Sequence, residues 1–142
     1  MKVMFDTNVY ISYIRNGHHQ DHLEKRGTVK YIAAAVMMEL WAGAKTTRAH
    51  RLLQKNLKPY IAAGRLVTLG TEYFVAIGQF LAKAPKEYGP LIKTARFLND
   101  LHIAYSAFSL GAVLFTEDRE HFEIITRRLP SLKVAYLSTG PV

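Results

Sequence analysis

Short apolar runs alternate with longer amphipathic ones along this chain. Turn residues punctuate them at Asn16-Gly17, Gly27, Gly64, Gly70, Pro85 through Pro90, Gly111, Pro130 and Gly140. Alternating strand-like and helix-like segments define an α/β domain. Strands are expected at 2–5, 29–33, 66–69, 112–116 and 133–137. These runs are apolar on both faces, which a strand needs when helices cover both sides of a parallel sheet. Helices are expected at about 9–15, 36–44, 46–63, 71–84, 90–98, 100–110 and 120–129. A break or a kink is expected at Leu98-Asn99-Asp100, because Asn and Asp readily begin a new helix. With 142 residues the chain fits one domain, 1–142, with room for a core of two or three layers.

Four carboxylates stand at the borders of segments built for the interior. Asp6 ends Val3-Met4-Phe5, Glu39 follows Val36-Met37-Met38, Asp100 lies between Phe97-Leu98 and Leu101, and Asp118 comes just after Val113-Leu114-Phe115. Burying an ionised carboxylate is costly unless a cation compensates it. If the fold gathers the four, the natural partner is a hard divalent cation such as Mg²⁺ or Mn²⁺. The chain has 0 cysteines, which excludes a disulfide framework and a thiolate metal site. Asp6 and Asp118 follow the first and fourth strands. In open α/β sheets, sites form beyond the carboxyl ends of strands where the strand order reverses, so those two share a crevice if strands one and four are neighbours. Glu39 and Asp100 must then reach it from flanking helices.

Taken singly, three of the acids have a purely structural reading. Asp6 or Thr7 can cap the first helix, Asn99 or Asp100 can cap a helix ending before Gly111, and Asp118 can cap the helix that carries Phe122. Glu39 is harder to place at the surface, because Val36, Leu40 and Gly43 lie at helical spacing on its own side. Together the four suit hydrolysis of a phosphodiester, in which carboxylates hold one or two cations.

Side by side, the four segments resemble those of the PIN-domain nucleases, and within them the VapC-type toxins of bacterial and archaeal toxin–antitoxin pairs. The resemblance spans nearly the full chain. Phe5-Asp6-Thr7-Asn8 is similar to the family's opening strand and Asp-Thr-Asn turn. Glu39-Leu40-Trp41-Ala42-Gly43-Ala44 follows its Glu-Leu helix with a Gly-Ala pair, and Asp100-Leu101-His102-Ile103-Ala104 its Asp with Ile-Ala two residues on. Thr116-Glu117-Asp118 with Phe122 follows its fourth signature. The resemblance implies a three-layer α/β/α sandwich, Rossmann-like, with a mostly parallel sheet of about five strands. It implies a metal-dependent endoribonuclease in which Asp6, Glu39, Asp100 and Asp118 form the acidic cluster and Thr7, Asn8 and Thr116 support it. It also implies a cognate antitoxin whose C-terminal segment lies across the site, and a homodimer.

The net charge of +8 favours a polyanionic partner, nucleic acid or an acidic protein. Arg48, Arg51, Lys55 and Lys58 recur at three and four residues and form a basic stripe on one helix face. That stripe reads either as an RNA-backbone track or as a solvated face over Leu52, Leu53 and Leu57. His18, His19 and His22 read as a solvated loop, while His102 and His121, each beside one of the acids, read either as groups that touch substrate or donate a hydrogen bond there or, more simply, as histidines satisfied at helix starts. The apolar excess at Met37, Met38, Leu40 and Trp41 is open to core packing or to an interface. The opening apolar run stops at Asp6, too soon for a signal peptide or membrane span, so a cytoplasmic protein is expected. The alternatives to an RNA-cutting toxin are a non-catalytic RNA-binding or assembly subunit on the same fold and a housekeeping or DNA-cutting nuclease.

Overall fold

A computed structural model describes residues 1–139; Gly140, one of the expected turn residues, lies outside them. Five strands, β1 (Lys2–Phe5), β2 (Val29–Ala33), β3 (Leu66–Val67), β4 (Val113–Thr116) and β5 (Lys133–Tyr136), form one sheet in the order β3-β2-β1-β4-β5. Every pairing is parallel. Around it stand α1 (Thr7–Asn16), α2 (Gln20–Leu23), α3 (Ala34–Gly43), α4 (Thr47–Ala62), α5 (Thr71–Lys83), α6 (Gly89–Ile92), α7 (Ala95–Leu110) and α8 (Arg119–Arg128). Right-handed crossovers send the helices after β1 and β2 to one face and those after β3 and β4 to the other, giving three layers.

Strand β1 is central because its side chains can be buried in both directions. Val3, Met4 and Phe5 are all buried, and β1 pairs with β2 on one side and β4 on the other. Phe97 from α7 and Phe122 and Ile125 from α8 are fully buried beside it, so the core and the helices that carry the acids are fastened together. Among the described residues no helix is long and apolar enough to cross a membrane.

The strands and long helices fall close to where the sequence puts them, with three differences. The break expected at Asn99-Asp100 lies earlier: Thr94 accepts a hydrogen bond from the Phe97 N–H (3.1 Å), and α7 runs unbroken from Ala95 to Leu110. Burial of Phe97, Leu101, Ile103 and Ala104 along one helix outweighs the local preference of Asn and Asp for a helix start. Asp100 is therefore not a cap. The third strand is two residues long rather than four, being an edge strand that pairs only with β2 and leads at once to the α5 cap at Gly70. Finally, the histidine-rich segment is not a plain loop, because Gln20–Leu23 forms α2 and His19 is drawn inward.

Candidate metal centre

The backbone brings β1 and β4 to the same rim. Phe5 is in register with Phe115, and the Asp6 N–H donates to the Phe115 carbonyl (2.9 Å), which extends the ladder one residue past β1. The strand order turns here: β2 and β3 lie on one side of β1, β4 and β5 on the other. This is the position at which α/β sheets form sites.

Asp6, 3% exposed, is both a cap and a member of the cluster. Its Oδ1 accepts from the Thr7 N–H (2.7 Å), and its Oδ2 accepts from Thr116 Oγ1 (2.7 Å) and Asn8 Nδ2 (3.2 Å). Asn8 Oδ1 in turn accepts from the Glu117 N–H (3.2 Å), tying the two strand-end loops together. Thr7 Oγ1 donates to Glu39 Oε1 (2.7 Å), which fixes that half-buried carboxylate from α3 beside the first loop. Helix α3 touches both α1 and α7, so Glu39 stands where the two helical layers approach each other.

From the opposite side, Asp118 caps α8 by accepting from the His121 N–H (3.1 Å), and its own N–H donates to Thr116 Oγ1 (3.0 Å). Asp100 projects from the middle of α7 and is 5% exposed. His121 Nδ1 lies 2.5 Å from Asp100 Oδ2 and 3.4 Å from Asp118 Oδ2. Arg96 Nη2 reaches Asp118 Oδ2 at 3.3 Å from a largely exposed side chain.

The acids feel one another. Burial pushes the Asp6 carboxyl up to about 6, against hydrogen bonds from Thr116 and Thr7 that lower it and with help from the charges of Glu39 and Asp118. Asp100 is pushed up to about 9, first by burial and then by Asp6, Asp118 and Glu39, with only Arg96 opposing. A group of carboxylates that resists ionisation in this way is under-compensated, and a divalent cation relieves it by supplying the missing positive charge. Among the described residues, the ligand atoms within 4.8 Å of one another are those of Asp100, Asp118 and His121, with the Asp6 and Glu39 carboxylates beside them, a set that fits a hard or borderline cation in oxygen-rich coordination.

Of the residues expected from sequence, Asp6, Glu39, Asp100, Asp118, Thr7, Asn8 and Thr116 thus meet at one rim. Arg48, Arg51, Lys55 and Lys58 are all exposed on α4 over buried Leu53 and Leu57, whereas Leu52 is itself 37% exposed rather than packed beneath them. Arg48 also borders a groove of about 350 Å³ between α1, α3 and α4 that includes Glu39, Arg15 and Leu40. On α3, Met38 is 55% exposed while Leu40 is buried. His102 lies outside the cluster, edge-on to Phe74 at 5.3 Å.

Two participants were not read from sequence as part of the cluster. Arg96 stands one helical turn before Asp100 on α7, a spacing that could have flagged it. His121 meets Asp100 across 21 residues, and only its place beside Asp118 hinted at that contact. His19 is a third departure: its Nε2 is 2.6 Å from Glu117 Oε2, which also accepts from Ser12 Oγ (2.8 Å).

An all-parallel sheet that collects carboxylates at its point of reversal is the architecture of an acid-centred α/β fold. The PIN domain family matches residues 3–127, and the chain belongs to that family. No curated protein matches it. Among solved structures it resembles VapBC2 from Rickettsia felis bound to a DNA fragment from its promoter, at 23% identity and a TM-score of 0.68, covering 97% of this chain and 100% of that one. It also resembles DNA-bound VapBC from Salmonella typhimurium, at 26% identity and a TM-score of 0.65, covering 96% and 98%. A third is VapBC-5 from Mycobacterium tuberculosis, of the VapBC family of toxin–antitoxin systems, at 18% identity and a TM-score of 0.57, covering 96% and 98%.

Proposed function

We infer that the protein is a metal-dependent endoribonuclease of the VapC type, the toxin of a toxin–antitoxin pair. The observation that carries this reading is the convergence of Asp6, Glu39, Asp100 and Asp118 on one rim, where burial first and neighbouring acids second raise Asp6 to about 6 and Asp100 to about 9. Asp6, Asp100 and Asp118 are the residues to hold Mg²⁺ or Mn²⁺, with Glu39 beside them. Bound there, such a cation supplies Lewis acidity, orienting water and offsetting charge on the scissile phosphate.

The chain's own residues do the rest. Thr116 and Asn8 hold the Asp6 carboxylate in one orientation, and Thr7 does the same for Glu39. Glu39 borders the open groove, where a carboxylate can take a proton from an entering nucleophile. Arg96, exposed except where it meets Asp118, and Arg48 flank the rim and are suited to the RNA backbone; Arg51, Lys55 and Lys58 continue that track along α4. The net charge of +8 supports a polyanionic substrate.

The groove between α1, α3 and α4 supports the antitoxin reading. Ile11, Ile14 and Leu52 give it an apolar floor, and Arg15, Arg48 and Glu39 give it a charged rim, so a segment laid along it meets the acid cluster. Phe74 and Val75 on α5 and Phe108 on α7 are exposed, and the two helices meet through Tyr73–Tyr105 and Phe74–His102 ring contacts, so this face suits a homodimer. A soluble protein of the cytoplasm is consistent with these partners.

Incubating the purified protein with a mixed-sequence RNA in Mn²⁺ tests the reading. Cleavage is expected, and it disappears in EDTA and in Asp100→Asn. Cleavage that survives both overturns it.

A further inference from the structure

Among the described residues, Asp100, Asp118 and His121 form the group whose potential ligand atoms all lie within 4.8 Å of one another, and one of the three is a nitrogen donor. The acids alone account for an Mg²⁺-like site, which prefers oxygen. The imidazole is placed as an inner member all the same. His121 is 5% exposed, its backbone N–H is held by Asp118 Oδ1, and the Phe97 ring stands edge-on to it at 5.3 Å. Packing therefore fixes the ring with Nδ1 toward the two carboxylates.

His121 Nδ1 and Asp100 Oδ2 share a proton in a 2.5 Å hydrogen bond, and Asp118 Oδ2 lies 3.4 Å from the same nitrogen. Metal–ligand bonds near 2.1 Å in octahedral geometry put adjacent donor atoms about 3 Å apart. A cation entering between these groups takes the place of that proton, and the donors need part by only a few tenths of an ångström. Coordination through Nδ1 leaves the ring proton on Nε2, on the side of the ring nearest the exposed Glu120 carboxylate, which at 4.0 Å is too far for a direct hydrogen bond.

We propose that His121 Nδ1 is a direct ligand of the divalent cation, beside Asp100 and Asp118, and that it makes the centre select a transition-metal ion such as Mn²⁺ over Mg²⁺. The proposal rests on the nuclease reading only in that the cluster holds a cation. Imidazole nitrogen binds first-row transition ions far better than it binds Mg²⁺, whereas carboxylates discriminate between them weakly. Replacing one oxygen donor by this nitrogen shifts metal preference without adding charge.

The test is pulsed electron paramagnetic resonance on the full-length protein loaded with Mn²⁺ alone, prepared with natural-abundance and with ¹⁵N-labelled histidine. Nitrogen coupling to Mn²⁺ is expected, with frequencies that change on ¹⁵N labelling, and it is expected to vanish in His121→Asn and persist in His102→Asn. Competition between the two ions should show the Mn²⁺ over Mg²⁺ preference falling by at least about tenfold in His121→Asn. If that variant does not fold, the labelling experiment on the unaltered chain decides. Mn²⁺ bound without nitrogen coupling, or an unchanged preference in a folded His121→Asn, overturns the ligand assignment and leaves the nuclease reading standing. Failure of Mn²⁺ to bind at all overturns both.

Discussion

Thr116 Oγ1 donates to Asp6 Oδ2 at 2.7 Å across a separation of 110 residues, and both groups are buried. The same oxygen accepts from the Asp118 N–H (3.0 Å), so one hydroxyl sets the positions of two acids at two strand ends. Thr116→Val keeps the shape and removes both contacts. Unpairing buried polar groups of this kind costs about 1–3 kcal/mol. Urea unfolding should show a loss in that range, together with weaker Mn²⁺ binding. A variant as stable as the parent would mean that Asn8 alone suffices to hold Asp6.

Without added cation, the stability of the protein should fall as pH rises. The unfolded chain releases its aspartate protons near 3.8, whereas the folded chain keeps them until about 6 at Asp6 and about 9 at Asp100. Across that window the folded state binds more protons, so the slope of stability with pH is negative. For Asp6 the shift corresponds to about 3 kcal/mol, fully expressed once pH passes its folded value. Thermal melts in EDTA should therefore give a higher midpoint near pH 5 than near pH 8, and Mn²⁺ should raise the midpoint more at pH 8. Equal midpoints at the two pH values would contradict the account of an under-compensated cluster.

Asp100→Asn separates the cost of the cluster from its use. At pH 7 the Asp100 carboxyl already holds a proton when no cation is present, given its rise to about 9, and a neutral amide of the same shape mimics it. The EDTA melting midpoint at pH 7 should move by no more than about 4 °C, equivalent to roughly 1 kcal/mol at this size. The rise induced by Mn²⁺ should disappear. A large loss of stability in EDTA would show that the charged form is the one the fold needs.

The uneven legibility of this site follows from how far each residue's signal reaches. Asp6 and Asp118 could be placed because each follows an apolar strand, and the rule for parallel sheets converts that into a location. Glu39 could be turned inward from the spacing of Val36 and Leu40 alone. Asp100 was open to misreading, because Asn99-Asp100 carries a local cap signal that buried contacts of Phe97, Leu101 and Ile103 override. The pairing of His19 with Glu117 could not be read at all, and for His121 only its place beside Asp118 hinted at a contact with the acids. Such contacts depend on how α8 and α2 dock, and no periodicity encodes them.

His19 supplies a test of that docking. Its backbone lies at φ 63°, a conformation that disfavours side chains with a Cβ, yet it holds Glu117 at 2.6 Å with only 10% of the side chain exposed. His19→Ala loses the pairing and retains the backbone strain. His19→Gly loses the pairing and relieves it, so it should be the less destabilising of the two by about 0.5–1 kcal/mol in urea unfolding. If alanine proves the milder change, the backbone conformation at position 19 carries no strain that glycine relieves.

The stripe on α4 has a signature that a merely solvated face does not share. Arg48, Arg51, Lys55 and Lys58 are exposed along one side of the helix, and Arg48 also borders the groove that reaches Glu39, so the proposed RNA track would run over them. Each phosphate contact on a single strand adds about 0.7 to the slope of log affinity against log salt. In an Asp100→Asn background, where the RNA stays intact, replacing all four by glutamine should lower that slope by up to about 3. It should weaken binding to different sequences to a similar extent, because backbone contacts carry no sequence information. A slope that does not change would return the four residues to the role of a solvated face over Leu53 and Leu57, and would assign the positive charge that meets RNA to Arg96 and Arg15 at the rim.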